Sequence, residues 1–187
     1  MFQELEQNSE CRIQNSECRI QNAEIRKTAG KGFSYPNGES GEIMTVRIKR
    51  LSEKAIIPTY GTEYSAGADL YAASEMPVEI RPHETSFINT GISLEIPEGY
   101  CGLVFARSSM GAKRGLAPAN KVGVIDSDYR GEVMVALHNH SERSQIVYPG
   151  ERVAQLAIVP FLKAEFEETD ELSDTTRGEG GFGSTGK

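Results

Sequence analysis

Gly123-Val124-Ile125-Asp126-Ser127-Asp128-Tyr129-Arg130-Gly131 is the stretch on which the fold turns. Val124 and Ile125 have the apolar character of a strand end. Asp-Ser-Asp is a turn signal, because its side chains can bond their own backbone. Val133, Val135 and Leu137 then alternate with other residues, the period of a half-buried strand leaving the turn. The spacing predicts a β-hairpin that gathers Asp126, Asp128, Tyr129 and Arg130 on a stiff support. A carboxylate there can take a proton from water, and a flat aromatic can pack on a sugar or base. The same nine residues also suit a plain capped surface turn, and alone they do not separate the two readings.

Strand patterns continue outward on both sides. Upstream, Val46 and Ile48 alternate with charged residues, and Val78 with Ile80, Phe87 with Ile88, Ile92, Leu94 and Ile96, and residues 103–106 form short runs. Turns punctuate them at Met76-Pro77, Arg81-Pro82-His83 and Pro97-Glu98-Gly99. Downstream, Ile146-Val147 and residues 153–161 and 164–166 complete the set. Many short strands with almost no 3.6-residue period predict an all-β protein, a barrel or sandwich. Only residues 111–116 and their neighbours suit a helical turn.

The two ends differ from this middle. Residues 7–13 read QNSECRI, residues 14–20 repeat them, and a decayed third copy begins at Gln21. The apolar spacing lacks the alternating three and four of a coiled-coil seam, so residues 1–43 are expected to be a disordered N-terminal extension. Met44 directly precedes the first strand pattern and is a candidate functional start. Residues 44–166 then form the domain, and 167–187 a mobile, glycine-rich arm.

The chain has 187 residues, 38% of them apolar, enough for one domain with a core. A net charge of −7 argues against nonspecific binding to nucleic acid or to a membrane surface. Neither a signal peptide nor a run of about 18 apolar residues is present. Cys11, Cys18 and Cys101 make no even disulfide framework, which fits a reducing compartment, and a cytoplasmic protein is expected. Cys11 and Cys18 have no histidine or third ligand nearby to make a metal site.

Four further stretches offer chemistry. Ala66-Gly67-Ala68-Asp69-Leu70 sets a carboxylate among small residues, where Asp69 can hold a metal-bound water, fix an arginine, or bond its own turn. Ala106-Arg107-Ser108-Ser109-Met110-Gly111 follows a strand and combines a guanidinium, two hydroxyls and loop N–H groups, a phosphate-binding set to which Lys113 and Arg114 add charge. Gly150-Glu151-Arg152-Val153-Ala154-Gln155-Leu156 opens a strand on which Gln155 faces either a ligand or water. The terminal stretch, residues 177–187, presents successive glycine N–H groups with Arg177 for charge and Phe182 for stacking. Its Gly181-x4-Gly186-Lys187 is not a P-loop, since no Ser or Thr follows the lysine and no helix can. His138-Asn139-His140 spells a nuclease-like triplet inside a strand, without other nuclease features.

Taken in order, AGADL (66–70), ARSSMG (106–111), GVIDSDYRG (123–131), GERVAQL (150–156) and RGEGGFGSTG (177–186) resemble the five motifs of the trimeric dUTP diphosphatase (dUTPase) family. The resemblance covers about residues 45–187. It implies a jelly-roll-like distorted β-barrel, a homotrimer with shared active sites, and Mg²⁺-assisted hydrolysis of dUTP to dUMP and pyrophosphate. That reaction limits uracil in DNA and supplies dUMP for thymidylate synthesis. By the same resemblance Asp126 acts on the attacking water, and Tyr129 lies under the deoxyribose, where a ribose 2′-hydroxyl would clash. Gly123, Val124 and Ile125, with Asn120, read the uracil edge, and Met134 flanks it. Arg107, Ser108, Ser109 and Gln155 hold phosphates, and Asp69 bears on a metal-bound water or positions an arginine. Arg177, Phe182, Gly183, Ser184 and Thr185 close over the nucleotide. No residue is implied as a direct metal ligand, because the triphosphate and water hold the ion. Ser109 stands where the family most often has glycine.

Two rival functions follow from the same stretches. The related deoxycytidine triphosphate deaminases share the pattern Arg107-Ser108-Ser109, but deamination calls for a glutamate in the base pocket, where this chain has Asp126 and Tyr129. A nucleotide-sensing regulator would keep the fold and act by binding a partner protein. Asp126 and the arm, both present, speak for catalysis.

Overall fold

The structure, a computed structural model, describes residues 44–181. The repeats in residues 1–43, and Phe182, Gly183, Ser184 and Thr185, lie outside the described residues. The described chain is built from strands, all paired antiparallel: β1 (Arg47–Arg50), β2 (Thr59–Tyr60), β3 (Ala68–Tyr71), β4 (Val78–Ile80), β5 (Thr85–Asn89), β6 (Ile92–Glu95), β7 (Tyr100–Phe105), β8 (Leu116–Pro118), β9 (Gly123–Ile125), β10 (Met134–Asn139), β11 (Gln145–Val147) and β12 (Arg152–Pro160). One wide helical turn, Ser109–Lys113, interrupts them just upstream of and overlapping residues 111–116.

The largest sheet has the order β2-β3-β12-β7-β9, and β5-β10-β8 faces it; β1-β6 and β11-β4 close the ends. Apart from β2 and β3, paired strands are not consecutive in sequence, which makes a jelly-roll-like all-β fold. The alternation read from the chain places the core. On β10, Val135 and Leu137 are fully buried while Met134 is exposed. They meet Leu70, Ile80, Ile88, Ile92, Leu116 and Val153, also buried. The expected turns form as well: Glu84 N–H donates to Arg81 O at 3.1 Å and Tyr100 N–H to Pro97 O at 3.2 Å.

Two expectations need correction. The predicted hairpin around Asp126 does not pair with itself. Strand β9 is laddered to β7, with Gly123 opposite Val104 and Ile125 opposite Gly102, whereas β10 pairs with β5 and β8. The turn between them therefore crosses from one sheet to the other, and the strands part. The stretch 164–166, read as a strand, is extended, exposed and unpaired. Beyond Phe161, whose N–H reaches Gly99 O at 3.0 Å, the chain has no sheet edge beside it. The nuclease-like triplet, set aside in the sequence for want of other nuclease features, is structural at its centre: Asn139 is fully buried and donates to Ile80 O and Arg143 O.

Candidate active site

Where β9 and β10 part, they leave a cavity of about 260 Å³. Gly123, Val124, Ile125 and Asp126 form one wall, Met134 and Ala136 the other, with Phe87, Pro118 and Asn120 at the margins. Strand β9 is the edge of its sheet, so one side of its main chain presents N–H and C=O groups to the cavity instead of to a neighbouring strand. The Asn120 side chain packs beside Gly123: its Nδ2 lies 3.4 Å from where a Cβ on Gly123 would stand.

At the end of β9 the Asp126 main-chain carbonyl accepts the Tyr129 N–H at 3.2 Å, closing a turn over Ser127 and Asp128. The Asp126 side chain lines the cavity and is exposed, with no ion pair or hydrogen bond to any described residue. Tyr129 lines the same cavity, and its hydroxyl donates to Glu132 O at 3.0 Å. Arg130 folds back over the turn, donating to Ser127 O and Tyr129 O. The sequence reading thus places Asp126, Tyr129, Asn120, Met134 and the β9 backbone around one hollow.

The phosphate-type residues gather elsewhere. Asp69, buried in β3, sits opposite Gln155 of β12, which in turn sits opposite Phe105 of β7. Arg107 emerges two residues beyond Phe105. Its Nε donates to Asp69 Oδ1 at 2.6 Å, and Arg152 Nη1 donates to Asp69 Oδ2 at 3.1 Å. The arginine-fixing role offered for Asp69 therefore has its contacts, with one carboxylate orienting two guanidinium groups. Ser108 and Ser109 are exposed at the start of the helical turn, and Ser109 Oγ accepts from Arg107 Nη1 at 3.2 Å. The serine that stands in place of glycine is thus turned toward Arg107. Gln155 Nε2 donates to Ala106 O at 3.1 Å and steadies the loop that carries Arg107.

Two residues of this cluster behave differently from their sequence reading. Arg114, read as extra positive charge for phosphate, is taken up by Glu151, Gln145 and Ile146 O, and it fastens the helical turn to the β11–β12 corner. Arg152 escapes the sequence reading as a candidate. Its only signal is a charge opening a strand, and its bond to Asp69 depends on the β3–β12 register. Phe87 escapes notice at the cavity for the same reason. Arg177 lies on the exposed tail, bonded to Gly180 O at 2.7 Å, and reaches neither cluster.

One chain therefore holds two separate clusters. Asp126 follows Ile125, which is opposite Gly102, so it sits level with Cys101 near the start of β7, whereas Arg107 lies two residues beyond the end of that strand. At the strand rise, the four steps from Cys101 to Phe105 alone span about 13 Å.

A family model described as dUTPase matches residues 53–186. The deoxyuridine 5'-triphosphate nucleotidohydrolase of Hydrogenobaculum sp. (strain Y04AAS1) is 46% identical over 143 residues, covering 76% of this chain and 99% of the relative. Among solved structures, the Staphylococcus bacteriophage 80alpha dUTPase with dUPNHPP superimposes with a TM-score of 0.67 at 30% identity, over 76% of this chain and 99% of the other. A mutant dUTPase from phage phi11 of S. aureus, described with a structural Mg(II) ion, gives 0.63 at 27% identity, over 70% and 100%. With the family model, the relatives and the fold in agreement, the chain belongs to the dUTPase family.

Proposed function

We propose that this chain hydrolyses dUTP to dUMP and pyrophosphate, with Asp126 activating the water that attacks the α-phosphorus. The observation that carries this reading is the Asp126 carboxylate, bonded to none of the described residues, at the rim of a cavity whose wall is a bare strand edge. A pyrimidine offers alternating acceptors and a donor along one edge, the complement of successive main-chain N–H and C=O groups. With the base against β9 and the sugar against the Tyr129 ring, the first phosphate falls beside Asp126. The carboxylate takes the water's proton as oxygen bonds to the α-phosphorus. The bond from that phosphorus to the bridging oxygen breaks, and pyrophosphate departs.

The donor set suits a metal that arrives on the substrate. No group of three or more His, Cys, Asp or Glu side chains among the described residues can hold an ion, and both oxygens of Asp69 face arginines. Mg²⁺ keeps its waters readily and binds through substrate phosphates, where it neutralises charge. Arg107, Arg152 and the Ser108–Ser109 loop then orient the outer phosphates. The cysteine usage supports a cytoplasmic location. Residues 44–166 act as the catalytic body in this reading, because among the described residues the core side chains all come from that span.

The separation of the two clusters supports a homotrimer with shared active sites. A triphosphate is shorter than the roughly 13 Å of strand between the two clusters, which favours Asp126 of one copy meeting Arg107 of another. The exposed tail fits the same arrangement: Leu162, Phe166 and Leu172 are 98%, 95% and 87% exposed, apolar groups with little cover from the described residues. Arg177 with Phe182, Gly183, Ser184 and Thr185 would close over a site built by its neighbours.

Two measurements test this. Pyrophosphate release should be fast with dUTP and at least about 100-fold slower with dTTP, dCTP and UTP, as expected when buried polar groups lose partners or a hydroxyl clashes. Ammonia from dCTP would identify a deaminase instead. Co-expressing Asp126→Asn chains with Arg107→Ala chains should yield mixed assemblies far more active than either variant alone, because some interfaces then combine two intact halves. Mixed assemblies no better than the parents would refute sharing.

A further inference from the structure

We propose that Glu132 is a positioning residue, which locks the Asp126–Tyr129 turn to the corner between β5 and β6 and so sets both turnover and the preference for deoxyribose. The proposal rests on the roles of Asp126 and Tyr129 given above. The Glu132 carboxylate is used on both oxygens. Oε1 accepts the Gly91 N–H at 2.7 Å, and Oε2 accepts Asn89 Nδ2 at 2.8 Å. Its own main-chain oxygen receives the Tyr129 hydroxyl. One residue therefore joins the ring proposed to face the sugar to a fixed corner of the neighbouring sheet.

Both partners are built for this contact. Gly91 has φ +67°, and a Cβ there would stand 2.9 Å from the Ala55 Cβ, so only glycine turns its N–H toward Glu132 without strain. At Gly131 a Cβ would come within 2.3 Å of the Tyr129 hydroxyl and 2.5 Å of Cζ. The ring lies against the bare Cα of Gly131 to reach the Glu132 carbonyl. Ser93 Oγ donates to Arg130 O at 2.7 Å and Val133 N–H to Ile92 O at 2.9 Å, so the chain on either side of Glu132 is tied to the same corner.

Packing does little to fix the carboxylate itself. Glu132 borders the substrate-side cavity, and it also borders a second hollow of about 300 Å³ shared with Leu51, Ser52, Ser74 and Glu75. With space on both sides, its hydrogen bonds hold it, and bonds to a charged acceptor are the stronger kind. If they are lost, the turn is free to shift into either hollow, carrying Tyr129 and, through the Tyr129 N–H to Asp126 O bond, Asp126 as well.

The test exploits the polarity of the Asn89 contact. Asn89→Asp sets two carboxylates against each other, with no donor on either side, whereas Asn89→Asp with Glu132→Gln reverses donor and acceptor and restores the bond. The single variant should lose about tenfold in kcat for dUTP, the worth of one charge-assisted hydrogen bond. Its ratio of UTP to dUTP kcat/KM should rise, while the unfolding temperature moves by no more than about 4 °C. The reversed pair should return kcat to within about threefold of wild type, by the logic of coupled neighbours. The proposal is overturned if Asn89→Asp keeps wild-type kcat and substrate ratio. It is equally overturned if activity falls only in step with unfolding temperature at an unchanged ratio, or if the reversed pair recovers stability without turnover. A wild-type chain inactive on dUTP would instead overturn the underlying site assignment.

Discussion

Asp126→Asn is expected to bind dUTP within a few-fold of wild type and to release pyrophosphate at least about 10³-fold more slowly, toward the upper range for removal of a general base. The carboxamide has the same shape, so the cavity and the β9 edge remain. Asp126 makes no side-chain bond to any described residue, so little stability is at stake and the loss falls on the chemical step. A carboxamide cannot take the proton that water must shed as it bonds to phosphorus. Single-turnover measurement of pyrophosphate, beside calorimetric binding of a non-hydrolysable analogue, separates the two effects. Wild-type turnover in this variant would remove Asp126 from the mechanism.

Asp69→Asn should damage both stability and catalysis. The Asp69 side chain is 11% exposed and holds Arg107, 20% exposed, and Arg152, 50% exposed. In the amide one oxygen still accepts, but Nδ2 is set against a guanidinium, donor to donor. Breaking one partner of a buried ion pair costs about 3–5 kcal/mol, and the exposure of Arg152 lowers the expected loss here to about 2–3 kcal/mol. Arg107 would then lose its bearing toward phosphate, and kcat/KM for dUTP should fall about 100-fold. Urea unfolding and steady-state kinetics check the two effects. If kinetics are unchanged while stability drops, Ser109 alone orients Arg107, and Asp69 serves only the fold.

The all-β fold was legible because period-2 alternation is a local property. Val133, Val135 and Leu137 announce a strand without reference to any partner. Pairing is not local, and there the reading of the central turn fails. Asp-Ser-Asp marks a reversal of direction, but whether the arms pair depends on Glu132, Asn89 and Gly91, residues brought together from 41 or more positions apart. The same limit hides Arg152, whose role depends on the β3–β12 register, and Phe87, whose exposed ring means nothing until β5 is set beside β10. Asp126, Tyr129, Arg107 and Asp69 were legible as chemistry. Their division between two ends of β7 was not, since no spacing along the chain encodes it.

The sheet-free side of β9 bears on how this protein can change over evolutionary time. A pocket that discriminates with side chains is retuned by a single codon, but in the proposed site the recognising surface is mainly peptide groups, common to nearly every amino acid. Val124 could drift widely, its side chain being 63% exposed, without rewriting the pattern of donors and acceptors. A new base preference would require rerouting the strand itself, a change that point substitution rarely delivers.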